Sequence, residues 1–334
     1  MRLSTPSIAL LSAVLIAGCG GSDDPAPIAQ AEAEAPTASG APAPAATAPQ
    51  TIDKLAGASG FNALLAAANK ADLAGVLADS NVSLTVFAPT DEAFTRLATA
   101  LGFDSAAAMV EALPAAALRS ILSYHVVSGT RRAADFSTAP QSTASTLYTF
   151  DGQPASLAVS SGQSGVTLRD AGLTSARVTS ADLAASNGVV HAIDKVLVPP
   201  GVLTIVQMAR LNPELSSLVS AVASANLQTA LSGAGPFTVF APTNAAFAQA
   251  PSGLTPAQLG TVLRYHVLGT QVLASQIPFG TPVSTLSTQA LRINAGTPPT
   301  ITDTTAAPAR IVATNVRASN GVIHVIDKVL IPAL

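Results

Sequence analysis

Residues 85–94 read TVFAPTDEAF, and residues 238–247 read TVFAPTNAAF. Residues 187–199 are NGVVHAIDKVLVP and residues 320–332 are NGVIHVIDKVLIP, with SYHVVSGT at 123–130 and RYHVLGT at 264–270. Three blocks recur in one order, so the chain carries two copies of one unit. Internal repetition of this kind outranks local propensity as evidence of architecture. A repeat of about 140 residues is too long for a solenoid unit and suits a whole globular domain.

Each block has a local reading. TVF is a short β-branched and aromatic run and predicts a strand. Pro89 and Pro242 keep the preceding alanine extended. Thr90 and Thr243 then stand where a helix N-cap belongs. Asp91 and Glu92 suit the positive helix end, and the second copy has Asn244 and Ala245 instead. Before the second Tyr-His pair, Thr255-Pro256-Ala257-Gln258 supplies an N-cap, a proline at N1 and a capping-box glutamine. Leu259, Val262, Leu263 and His266 share one face, as do Leu118, Ile121, Leu122 and His125 after Pro114. Each histidine reads as a buried imidazole bonded to backbone. Tyr124 and Tyr265, about 100° further round the helix, are expected to be partly exposed.

Phe61, Leu64, Leu65, Ala68, Leu73, Val76 and Leu77 predict a helical stripe broken near Asn69-Lys70, answered by Leu215, Leu218, Val219, Val222, Leu227 and Leu231. Asn187-Gly188 and Asn320-Gly321 fit a two-residue type I′ turn, so the closing block reads as a hairpin. Asp194 and Asp327 are expected to bond backbone or a polar neighbour, and Pro199 and Pro332 to end the strand.

The three blocks together resemble the fasciclin (FAS1) family, which carries T-x-F-A-P-T-[DN]-x-A-F, a central Tyr-His pair and N-G-V-[IV]-H-x-[IV]-D. The resemblance covers roughly residues 51–200 and 201–334. It implies an α+β fold of two tandem domains, each a twisted β-wedge packed against a group of helices. It also implies extracellular or envelope adhesion and interaction modules without catalysis. In that family the Tyr-His region is associated with adhesion-receptor binding, which nominates Tyr124, His125, Tyr265 and His266 as candidate interaction residues. The first copy is longer by twelve residues between its AF and YH blocks and by eight between YH and NG. Such surface loops are where two domains diverge in specificity.

Residues 8–18, IALLSAVLIAG, follow Arg2 and are too short for a mature membrane span. They read as the apolar region of a signal peptide, residues 1–18. The run ends in Ile16-Ala17-Gly18-Cys19, which resembles a bacterial lipobox with Cys19 as the acylated residue. Cys19 is the chain's one cysteine, so no intramolecular disulfide forms. Two or more acyl chains, at about 0.8 kcal/mol per buried CH₂, hold far more firmly than one myristoyl group. Gly20 stands where Asp resembles an inner-membrane retention signal, so outer-membrane sorting is expected in a Gram-negative cell. Residues 20–50, rich in Ala and Pro, predict a disordered tether of at most roughly 100 Å.

The formal net charge is −3. Setting aside Arg2 and the tether acids Asp23, Asp24, Glu32 and Glu34, the two repeats hold 15 basic and 15 acidic residues. No basic stripe answers a phosphate backbone, which argues against nucleic acid as a partner. Only 10% of residues are charged, against about a quarter ordinarily, so the surface is mostly small and neutral. The four histidines, His125, His191, His266 and His324, fall two per repeat. Their spacing matches no zinc motif, so no metal is assigned. No G-x-S-x-G, G-x-G-x-x-G or Walker sequence is present, so no catalytic residue and no cofactor is assigned. The expected function is an envelope-anchored adhesion or interaction protein with a protein or polysaccharide partner. The alternatives are a periplasmic small-molecule or lipid-binding protein, using an apolar cleft between helices and wedge, and a hydrolase.

Overall fold

The computed structural model of the protein describes residues 49–136, 141–162, 165–251 and 253–334. The signal segment, Cys19 and the tether up to residue 48 lie outside the described residues. The first domain opens with α1 (Ile52–Ala58), α2 (Asn62–Lys70) and α3 (Ala74–Ala78), followed by β1 (Leu84–Pro89). Then come α4 (Asp91–Leu101), α5 (Ala106–Ala112), α6 (Ala115–Tyr124) and β2 (Val126–Ser128). It closes with β3 (Gln141–Phe150), β4 (Gln153–Gly162), β5 (Gly165–Arg169), β6 (Ser175–Ala185) and β7 (Gly188–Ile193).

The second domain runs α7 (Ile205–Leu211), α8 (Ser216–Ser224), α9 (Gln228–Leu231), β8 (Phe237–Pro242), α10 (Asn244–Ala248), α11 (Pro256–Tyr265) and β9 (Val267–Leu268). It ends with β10 (Pro282–Ser284), β11 (Ala290–Asn294), β12 (Thr300–Thr302), β13 (Ala309–Ala318) and β14 (Gly321–Ile326).

The first and last repeated blocks are neighbours in space. β1 lies parallel to β7 with Val86 opposite Val190 and Phe87 opposite His191. β8 lies parallel to β14 with Val239 opposite Ile323 and Phe240 opposite His324. Parallel strands are covered on both faces, and nearly every residue of these four is buried. That is why both blocks read as continuous apolar runs instead of alternating. In the first domain the seven strands close into a barrel, because β2 also reaches β3 at Val127 and Thr146. The second domain keeps an open seven-stranded sheet, in the order β10-β11-β12-β13-β14-β8-β9.

One apolar cluster packs the helices against the sheet and includes residues of both domains, such as Leu97, Leu101, Val206 and Ala209. Each domain has a second cluster on the opposite face of its sheet, around Phe87 and Leu157 in the first and around Phe240 and Ile301 in the second. The predicted helical stripe forms α2 and α3, except that Val76 is 40% exposed and lies outside the core.

The closing hairpin differs from expectation. Ala185 pairs with Gly188 and Ala318 with Gly321, so the turn residues are Ser186-Asn187 and Ser319-Asn320. Neither asparagine has a positive φ, so the turn is not type I′. The glycine is needed one step later. Gly188 has φ +153°, and a Cβ there would lie 1.9 Å from the Leu84 carbonyl oxygen. Gly321 repeats this at φ +156° and 2.1 Å from the Phe237 oxygen.

Candidate functional site

The Tyr-His pairs end α6 and α11. The Thr255 hydroxyl accepts from Gln258 N at 3.3 Å, and the Gln258 side chain accepts from Thr255 N at 3.0 Å, completing the predicted capping box. His125 Nδ1 lies 2.7 Å from the Ile121 carbonyl, and its Nε2 accepts from Leu197 N at 2.9 Å. His266 repeats the pattern with the Val262 carbonyl at 2.8 Å and Leu330 N at 2.9 Å. A backbone N–H aimed at Nε2 fixes that nitrogen as an acceptor, so the proton sits on Nδ1. Burial pulls both imidazoles down to about 4, only partly opposed by the carbonyl bond to Nδ1.

The tyrosines correct the expectation of partial exposure. Tyr124 is 0% and Tyr265 2% exposed. Each turns into the strand-side core and donates its hydroxyl to a carbonyl, Ser156 and Ala290 respectively, at 3.1 Å. The physical reason is that the helix ends against the sheet, so both sides of its last turn are covered. With His125 at 0% and His266 at 1%, none of the four candidate residues presents surface to a partner in this fold. The candidate lipidation residue, Cys19, lies outside the described residues.

The other two histidines are also held by backbone. His191 Nε2 lies 2.8 Å from the Arg131 carbonyl while Nδ1 accepts from Asp182 N at 3.2 Å. His324 does the same with the Val272 carbonyl and Asn315 N. Thus all eight ring nitrogens have backbone partners. Among the described residues no group of three His, Cys, Asp or Glu is placed to hold a metal. Asp194 and Asp327 bond backbone as expected, each accepting at 2.7 Å from Arg177 N and Arg310 N.

Several roles had no sequence signal of their own. Asp91 and Asn244 accept from Ala63 N and Ser217 N at 2.9 Å, tying the APT block to the start of α2 and α8. Asn187 accepts from Ile52 N at 3.0 Å and donates at 2.9 Å to the carbonyls of Leu77 and Asp79. Asn320 makes the matching set with Ile205, Leu231 and Gly233. A fourth echo, Ser-Thr-Leu, stands at 145–147 and 284–286. Its leucines, Leu147 and Leu286, are each 43% exposed.

Lys195 and Lys328 occupy matched positions with unequal partners. Lys328 Nζ donates to Asp303 at 2.9 and 3.0 Å, to Ala307 O at 2.6 Å and to the Thr305 hydroxyl. Asp170, the counterpart of Asp303, is instead filled by Thr174 N, the Thr174 hydroxyl and Val198 N. Lys195 has no hydrogen-bond partner among the described residues. Burial holds its ammonium below the ordinary lysine range, opposed by Asp170 and Asp194.

Lys195 lines a cleft of about 460 Å³ at the seam between the domains. Its first-domain wall comes from α4 and the β5–β6 turn, and its second-domain wall from the end of α7 through Glu214. Asn212 Nδ2 donates across the seam to the Gly172 carbonyl at 3.4 Å. Each domain also has an apolar cavity of about 30 Å³ between helices and sheet. Leu77, Val86 and His125 line the first, and their counterparts Leu231, Val239 and His266 the second. That volume is on the scale of one or two waters.

The Fasciclin domain profile matches this chain at residues 59–199 and 213–332. Protein sll1483 of Synechocystis sp. is 40% identical over 140 residues, which is 40% of this chain and 75% of that protein. Human periostin is 35% identical over 164 residues, 47% of this chain and 19% of periostin, so the chain spans about a fifth of that relative. Among solved structures, a FAS1 domain pair from the insect cell adhesion molecule fasciclin I aligns with 84% of this chain and 98% of its own, at 18% identity and a TM-score of 0.41. The chain belongs to the fasciclin domain family and carries that domain twice.

Proposed function

We propose that the protein is an adhesion or interaction protein of the bacterial envelope. In this reading residues 1–18 are removed, Cys19 is acylated, residues 20–50 form a tether, and domains at 51–200 and 201–334 meet a protein or polysaccharide partner. The observation that carries it is the burial of the repeated blocks in both domains. The Tyr-His residues are buried, every histidine nitrogen is bonded to backbone, and each internal cavity measures only about 30 Å³. Imidazoles whose nitrogens are all engaged by backbone supply no free general base, which supports a non-catalytic role. A cavity of water size supports a surface partner over an enclosed lipid. Family membership supports the same choice.

The test has two arms. Cells expressing the protein should retain it in the membrane fraction and adhere better to a protein- or polysaccharide-coated surface than cells lacking it. Cys19→Ser should release the protein and abolish that gain. Unchanged fractionation of Cys19→Ser sinks the anchor, and no gain in adhesion with wild type sinks the interaction role.

A further inference from the structure

We propose that the seam cleft binds the carboxylate of a sugar acid, as presented by a uronic-acid residue. The inference rests on the reading above and names the chemistry of its partner. Three cations line the cleft, Arg96 and Lys195 from the first domain and Arg210 from the second, against two acids, Asp194 and Glu214. The cations are under-used. Arg96 makes one long bond, 3.5 Å to the Asp194 carbonyl, and Arg210 one of 3.3 Å to the Gln228 side chain. Lys195 is half-buried and makes none among the described residues, whereas Lys328 at the same place in the second domain is ion-paired with Asp303. Asp194 already accepts from Arg177 N, and Glu214 is exposed. A half-buried ammonium without a hydrogen-bonded counter-charge gains most from an incoming carboxylate.

The volume, about 460 Å³, falls within the ~300–1,000 Å³ of small-ligand sites. Leu97, Leu173 and Val196 give it an apolar floor for the C–H face of a pyranose. No aromatic ring lines it, so a neutral sugar lacks the stacking that would hold it and the acid group must supply the recognition. Because its walls come from both domains, the site exists only in the tandem.

The experiment titrates the full chain with galacturonate, polygalacturonate and neutral dextran by calorimetry. Galacturonate and its polymer should bind competitively, and dextran should not bind. Lys195→Met and Arg210→Met should each weaken binding about tenfold or more. Arg292→Gln, at an exposed position of β11, should not. Melting curves must show both cleft variants folded; a variant that does not fold is replaced by Lys195→Gln or Arg210→Gln. Binding of neither acid form, equal binding of dextran, or full binding by folded cleft variants overturns the assignment. If cells still adhere when galacturonate does not bind, only this inference falls; if adhesion itself is absent, the interaction reading falls.

Discussion

The guanidinium of Arg317, on β13 of the second domain, lies 5.0 Å over the ring of Phe150 at the end of β3 in the first. Its Nη2 is also 3.1 Å from Asp151. Gly201 N donates to the Arg317 carbonyl at 3.0 Å, and the Tyr148 hydroxyl donates to the Pro200 carbonyl at 2.9 Å, so the short linker is gripped from both sides. The joint is thereby restrained by side chains as well as by the shared helical core.

Arg317→Ala should loosen that joint. A cation–π contact and a partly exposed ion pair together contribute about 1–2 kcal/mol. Arg317 Nε is buried without a hydrogen-bond partner among the described residues, which offsets part of that. The expected outcome is a lower, broader calorimetric transition and a larger radius of gyration by small-angle scattering. An unchanged radius and a single unshifted transition would show that the shared core alone sets the geometry.

Asn187→Ala and Asn320→Ala should each destabilise their own domain by about 2–4 kcal/mol, since each strands three backbone groups, two of them carbonyls. Asn→Asp should be no better, because a carboxylate cannot donate to those carbonyls. Thermal unfolding checks this, and a loss under 1 kcal/mol would place the three groups in contact with water instead.

Much of this fold was legible in the three echoes. Thr90, Thr243 and Thr255 cap helices as the sequence predicts, because N-capping depends on residues three apart. The buried histidines were legible for the same reason, each ending an apolar helical stripe. What the sequence hid depends on distant neighbours. The Asn-Gly pair signals a local turn, yet Asn187 reaches Ile52 and Leu77 while Gly188 makes room for Leu84. Tyr124 looked exposed because helix geometry alone does not say that the last turn ends inside a sheet. The cleft was invisible because its walls come from both copies, and repeated blocks read identically until one copy is set against the other.

Both Tyr-His imidazoles give a pH prediction. Their folded value of about 4 lies below the ordinary 6.5, so the unfolded chain binds these protons more readily. Their contribution is intact above pH 6.5 and is lost as pH falls from 6.5 towards 4. At 1.36 kcal/mol per pH unit, each loss is on the order of 3 kcal/mol. Urea midpoints at pH 7 and pH 4.5 should differ sharply, and His125→Leu should flatten the first domain's share of that slope while lowering stability at pH 7. A wild-type midpoint independent of pH across this window would contradict the buried neutral imidazoles.

The matched lysines should respond unequally to the same substitution. Lys328→Met leaves the buried Asp303 carboxylate without its cation and should cost about 3 kcal/mol. Burial pushes the Asp303 carboxyl up, but Thr305, Ile331 and Lys328 together outweigh it and leave it below the ordinary 3.8. Asp303 therefore contributes stability above 3.8 that is lost as pH falls through its lower folded value. Lys328→Met should shrink that contribution and move acid unfolding of the second domain to higher pH. Lys195→Met removes no hydrogen bond and should stay within about 1 kcal/mol of wild type. Burial pushes the Asp170 carboxyl up, opposed first by the charge of Lys195 and then by the bonds from Thr174 and Val198, but unlike Asp303 it takes no hydrogen bond from its lysine among the described residues. Equal losses from the two substitutions, measured by urea unfolding, would mean that Lys195 already holds a structural counter-charge. Arg96 and Arg210 would then be the cleft cations left for a ligand.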